Sequence, residues 1–145
     1  NFTHKNTALA YHTRLRELVS SLNLDEAVIF KGVVSEKELL DSFNSHDVFV
    51  FASHLQTWGI AVFEAMATGL PVVLSRSTGA SDVLTDYENV LLSNPLSPES
   101  IRDRIKEYAA DKELNAGISM RGREFVEKRI SWKKYTNEML GVFSK

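Results

Sequence analysis

The sequence contains no cysteine, which excludes disulfides and thiolate metal sites outright. Three prolines and seven glycines in 145 residues are too few for a low-complexity or collagen-like chain. Charge of one sign is not in excess. Seventeen basic against nineteen acidic residues leave a net charge of -2, which argues against holding nucleic acid through an overall positive field. No apolar run approaches the roughly 20 residues that span a bilayer. No signal peptide is visible, so a cytoplasmic setting is the default expectation. What remains is ordinary for a globular protein: 43% hydrophobic and 25% charged residues, enough chain for one domain with a buried core. The start, Asn1-Phe-Thr-His-Lys-Asn-Thr7, has no initiator Met and reads as an excision from something longer.

The chain turns on the stretch from Val48 to Leu74, whose only formally charged side chain is Glu64. Val48 to Phe51 is a short β-rich run. Gly59 opens a helical segment, Ile60 to Thr68, that is apolar nearly all round, and Gly69 closes it as a C′ glycine. Pro71 follows, then Val72 to Leu74 as a second buried strand. Such a helix belongs inside a fold, where an unpaired carboxylate costs several kcal/mol or more. Glu64 therefore needs either a donor from its own protein or a ligand hydroxyl.

The rest alternates in the same way. Thr7 to Leu22 has helical spacing of leucines, with Asn6 or Thr7 as a cap. Val28 to Phe30 reads as a short strand. Ser35-Glu36-Lys37-Glu38 fits a capping box, opening a helix with Leu39, Leu40 and Phe43 on one side. Asp82 to Leu84 reads as one helical turn and Asn89 to Leu92 as a fourth strand. Ser97 and Pro98 supply the cap and first-turn residue of a helix with Ile101, Ile105, Tyr108 and Ala109 inward. Further helices run from about Glu113 to Ile130 and from Ser131 onward, the last carrying Trp132, Tyr135, Met139, Val142 and Phe143. Strands alternating with helices predict an α/β fold with a parallel sheet, and ligands of such folds bind where strands run out into loops, as at residues 52–59.

Asp47-Val-Phe-Val-Phe-Ala-Ser53, then Gln56-Thr-Trp-Gly-Ile-Ala-Val-Phe-Glu64-Ala-Met-Ala-Thr-Gly-Leu-Pro-Val-Val73, resembles the donor half of the retaining glycosyltransferases of family 4, which have GT-B architecture. Val28-Ile-Phe-Lys-Gly32, Thr78-Gly79-Ala-Ser-Asp82 and Ile130-Ser-Trp132 agree in order and spacing, so the likeness covers nearly the whole chain. The resemblance implies a Rossmann-like parallel sheet flanked by helices, the C-terminal half of a GT-B fold, over residues 1–145, with residues 98–145 as C-terminal helices. It also implies that two strands preceding Asn1 would lie between the Val28 and Val48 strands, leaving this sheet incomplete, re-paired or completed by another chain.

The resemblance casts Glu64 as the holder of ribose hydroxyls in a nucleoside diphosphate sugar, a UDP- or GDP-hexose. A carboxylate suits that task, since its two acceptor oxygens match a vicinal diol. Gln56 would face the hexose. Ser53, Thr57, Trp58, Gly59, Ile60 and Gly79 would line the donor, and Gly32 and Val33 would face the nucleobase. Gln56 stands where the family usually has Glu: it keeps an acceptor but loses the charge that supports an oxocarbenium-like transition state. Thr78-Gly79-Ala80-Ser81-Asp82 departs from the family's Gly-Gly-x-Pro-Glu, and an ordinary strand-to-helix turn is the competing reading.

The four histidines form no metal set, and family members of this kind need no divalent metal, so neither metal nor cofactor is expected. Arg121, Arg123, Lys128, Arg129, Lys133 and Lys134 make a basic region, read as a solvated helix face or as an approach to an anionic membrane. The expected partners are a nucleotide sugar and, through a domain outside these residues, a sugar or lipid-linked acceptor. The expected place is the cytoplasm or its membrane face. The resulting expectation is a hexosyltransferase, inactive as an excised domain, with a nucleotide-sugar-binding module lacking efficient turnover as the alternative.

Overall fold

The sheet is built around Val72–Ser75, four residues buried on both faces. The computed structural model describes residues 2–143, with every side chain except those of residues 2–8, 132, 135 and 138. Its elements are α1 (Phe2–Ser21), α2 (Glu36–Ser45), β1 (Phe49–Phe51), α3 (Ile60–Ala67), β2 (Val72–Ser75), a 3₁₀ turn (Gly79–Asp82), β3 (Leu91–Ser93), α4 (Pro98–Ala110), α5 (Lys112–Arg129) and α6 (Trp132–Phe143). The chain divides into two compact units, Asn1–Ser35 and Glu36–Lys145.

In the larger unit the strands run parallel in the order β1-β2-β3, with Phe49 opposite Val72 and Val73 opposite Leu91. This is the parallel, helix-flanked sheet that the alternation of elements predicts. Side chains alternate across it with period two. Phe49, Phe51, Val72, Leu74 and Leu92 pack into one layer with Val62, Phe63 and Met66 of α3. Val48, Val50, Val73 and Leu91 face the other, with Ile105 and Tyr108 of α4 and Ile118 of α5. Coverage of both faces is why these strands read as continuous apolar runs. The Tyr108 hydroxyl, its pKa raised by burial, donates to the Val72 carbonyl at 3.1 Å.

Local signals account for several helix ends. Gly69 takes φ +82°, its N–H bonds to the Met66 carbonyl at 2.9 Å and Leu70 N–H to the Ala65 carbonyl at 3.2 Å. This pair of bonds is a Schellman closure, which favours glycine at the left-handed residue. Ser97 caps α4 by accepting from Ser100 N–H at 3.2 Å, with Pro98 in the first turn. Asp111 caps α5 by accepting from Leu114 N–H at 2.9 Å. Gly122 lets α5 sit against the turn before β3, since a Cβ there would lie 2.9 Å from the Asn89 carbonyl oxygen and 3.2 Å from Met66 Cε. Gly122→Ala is expected to destabilise the fold by about 1–3 kcal/mol through overpacking, read as a lower urea midpoint.

Several expectations are corrected. Val28–Phe30 is not a strand. Val28 N–H bonds back to the Leu24 carbonyl at 3.0 Å, and the Phe30 ring packs edge-on to His12 at 5.3 Å beneath the Arg16 guanidinium. A strand needs a ladder partner, and among the described residues the three-stranded sheet offers it none. Helix α1 begins at Phe2 rather than near Thr7, so Asn6 and Thr7 lie inside it rather than at its start. The third strand is Leu91–Ser93 rather than residues 89–92, and the single turn after β2 starts at Gly79 rather than Asp82. Ala109, expected to face inward, is exposed beside the buried Tyr108. The side chains of Trp132 and Tyr135 lie outside those described.

Among the described residues no helix is long and apolar enough to cross a membrane. Much of the basic region is paired locally. Arg123 meets Glu127 at 2.9 Å, Lys128 meets Glu124, and Arg121 donates to the Glu88 carbonyl at 2.7 Å.

Candidate donor-binding site

All three strands end on the same side of the sheet, because they are parallel. Out of β1 runs the loop 52–59, and out of β2 the loop 76–78 leading into the 3₁₀ turn. Gly59, buried and at φ +88°, turns the first loop into α3. Its carbonyl accepts from Val62 N–H at 3.0 Å, the first bond of the helix. A Cβ on Gly59 would lie 3.1 Å from the Phe51 ring, so both the backbone conformation and the close approach call for glycine.

Helix α3 buries Val62, Phe63, Ala65 and Met66. It turns Ile60, Glu64 and Ala67 outward, at helical spacing i, i+4, i+7. The helix is thus apolar but one-sided. Its outward stripe starts at the loop end of the sheet, with Glu64 about 6 Å along the axis from Ile60. Glu64 is solvated rather than trapped in the core. Among the described residues it takes part in no ion pair or side-chain hydrogen bond. A side-chain donor from its own protein is thus not found for Glu64 among the described residues.

The loop carrying Gln56 is fastened to the loop after β2. Gln56 and Thr78 form a parallel β-bridge. Gly79 N–H donates to the Gln56 carbonyl and Ala80 N–H to the Trp58 carbonyl, each at 3.0 Å. The Ser77 hydroxyl donates to the Ser53 carbonyl at 3.2 Å and lies 2.9 Å from Ser75 Oγ. With its main chain held this way, Gln56 presents an exposed side chain, and Thr57 is exposed beside it. Trp58 leans on Phe63, ring centroids 5.2 Å apart, with 40% of its surface open. Leu55 and Ile60 add exposed apolar surface.

Ser53, Gln56, Thr57, Trp58, Gly59, Ile60, Glu64 and Gly79 therefore belong to one end of the larger unit. Gly32 and Val33 lie in the other unit, where Gly32 has φ +66° and Val33 is fully exposed. Residue-by-residue reading missed Ser77, whose hydroxyl ties the two loops by donating to the Ser53 carbonyl, and Ser75, whose Oγ supports that hydroxyl from the end of β2. It also missed Asp86, which accepts from Leu92 N–H at 2.8 Å while pairing with Arg76 and, at 3.7 Å, with Arg104. Neither set stands out in the sequence, because its partners are up to 24 residues apart.

The family model of the group 1 glycosyl transferases matches residues 9–125. The chain belongs to the group 1 glycosyl transferases. Sulfoquinovosyl transferase from Arabidopsis thaliana is 32% identical over 114 residues, which is 77% of this chain and 22% of that protein. The C-terminal domain of a group 1 glycosyl transferase from Francisella tularensis superposes with a TM-score of 0.78 at 26% identity, covering 86% of this chain and 64% of that one. HepE from Anabaena, solved with UDP-glucose, has the same fold at a TM-score of 0.86 and 20% identity, over 94% of this chain and 37% of its own. This group 1 chain thus has the Rossmann-like C-terminal half of a GT-B glycosyltransferase, the fold and family 4 likeness expected from its central motif. It spans 22% to 33% of the length of the first curated relatives it matches.

Proposed function

We propose that this chain is the donor-binding half of a hexosyltransferase, whose acceptor-binding half lies outside residues 1–145. The reaction would move a hexosyl group from a UDP- or GDP-hexose to a sugar or lipid-linked acceptor with retention of anomeric configuration. The observation that carries this reading is Glu64, a solvated carboxylate with no protein partner among the described residues, set on the outward stripe of α3 at the loop end of the sheet. In this reading its two oxygens accept the ribose hydroxyls. Ser53, Thr57, Trp58, Gly59 and Ile60 line the donor, with the first free N–H groups of α3 directed toward phosphate or sugar oxygens. Gln56 faces the hexose. The UDP-glucose held by HepE, in a fold of this kind, supports a nucleotide sugar as the ligand class.

Gln56 favours a second reading, a module that binds a nucleotide sugar without efficient turnover, because its side chain brings no negative charge to the reacting carbon. Sugar transfer by the whole protein, wild type and Gln56→Glu, separates the two. Wild type is expected to transfer. The variant's kcat is expected to rise about tenfold, equal to about 1.4 kcal/mol of barrier, as the added carboxylate supports the oxocarbenium-like state. Donor binding without transfer in either form would favour the module.

A further inference from the structure

Gly79 is a glycine without a conformational excuse, since its backbone is not among those at positive φ. What it lacks is room. A Cβ there would lie 1.9 Å from the Thr57 carbonyl oxygen and 2.9 Å from the Thr57 carbonyl carbon, inside any allowed contact. Both obstacles are backbone, so a rotamer change relieves neither. Its N–H is already committed to the Gln56 carbonyl, as that of Ala80 is to the Trp58 carbonyl. These two donors are spent between loops.

We infer that Gly79 is a positioning residue: by letting the loop after β2 lie flush on residues 56–58, it sets where Gln56 reaches. The inference rests on the proposed reading of Gln56 as the residue facing the hexose. Two backbone hydrogen bonds, the Gln56–Thr78 bridge and the Ser77–Ser53 contact make the two loops one piece. Glu64 stands outside this piece, on α3. Loosening the clasp therefore moves Gln56, assigned to the hexose, together with Ser53, Thr57 and Trp58, and leaves Glu64, assigned to the ribose, in place. A displacement on the order of 1 Å at a remote support can cost about 100-fold in rate.

The test is Gly79→Ala in the whole protein, with Ser77→Ala as the milder partner, since it removes the Ser53 tie without adding bulk. Hydrogen exchange of the segments 53–58 and 77–80 reads the clasp itself, whatever the ligand. Titration with nucleoside diphosphate and with nucleoside diphosphate hexose reads its consequence. In Gly79→Ala, exchange is expected to rise in both segments, and transfer to fall about tenfold or more. Affinity is expected to fall more for the nucleoside diphosphate hexose than for the nucleoside diphosphate, because Glu64 keeps its place on α3. Ser77→Ala should move in the same direction by less. Unchanged exchange in Gly79→Ala overturns the inference, and so does equal loss of affinity for both ligands. If Gly79→Ala does not fold, wild-type behaviour of Ser77→Ala in both readouts overturns it. If wild type binds no nucleotide sugar while exchange still rises in Gly79→Ala, the proposed function falls and the clasp stands.

Discussion

Replacing Glu64 by alanine is expected to weaken nucleoside diphosphate binding about 10- to 100-fold. A hydrogen bond to a charged group contributes roughly 1.5–3 kcal/mol, and each 1.4 kcal/mol is tenfold in affinity. The fold should not notice. Glu64 is exposed, and among the described residues no ion pair or side-chain hydrogen bond is lost with it. Alanine also suits a helix interior better than glutamate. Calorimetric titration beside a thermal melt checks both halves at once. Weaker binding at an unchanged or slightly raised Tm is the expected pair of results. Glu64→Gln should fall between the two, because it keeps one carbonyl acceptor and gives up the charge. Unchanged affinity in Glu64→Ala would show that the carboxylate does not hold the ribose.

The second large effect is on stability. Leu74 is fully buried in the central strand, packed in the layer with α3. Leu74→Ala is expected to cost about 2–5 kcal/mol, the sum of lost transfer energy and the cavity left behind. Domains of ordinary stability have only about 5–15 kcal/mol to lose, so the urea midpoint should drop by a large fraction. β2 is the strand least able to relax, having a neighbour on each side. A shift of less than about 1 kcal/mol would mean that the core collapses around the site. The contrast between the two variants is itself informative: one removes an exposed carboxylate without touching packing, the other removes packing from the buried core.

The opposite outcomes trace to one helix. Ile60-Ala-Val-Phe-Glu-Ala-Met-Ala67 is so apolar that it reads as surrounded by protein, which would put Glu64 in the core and make it costly. In the fold only one side is covered, by the sheet and α5 through Val62, Phe63, Ala65 and Met66. Periodicity reports that a segment is apolar, but not which side of it is left uncovered. The residues proposed for the site are offered by one stretch of chain, because Gln56 to Glu64 are close in sequence and cross from loop to helix at Gly59.

By itself the sequence determined the parallel α/β architecture, the Gly69 closure of α3, the Ser97-Pro98 start of α4 and the family. Each of these rests on residues within a few positions of one another or on a motif read as a whole. Only the tertiary structure decided that Val28–Phe30 folds back on α1 rather than joining the sheet, that Glu64 faces solvent, and that Gly79 clasps the Gln56 loop. Those outcomes depend on which backbone groups meet after the sheet has assembled. A residue's own neighbourhood in the chain carries no record of a carbonyl that will lie against it from 22 positions away, as that of Thr57 does against Gly79.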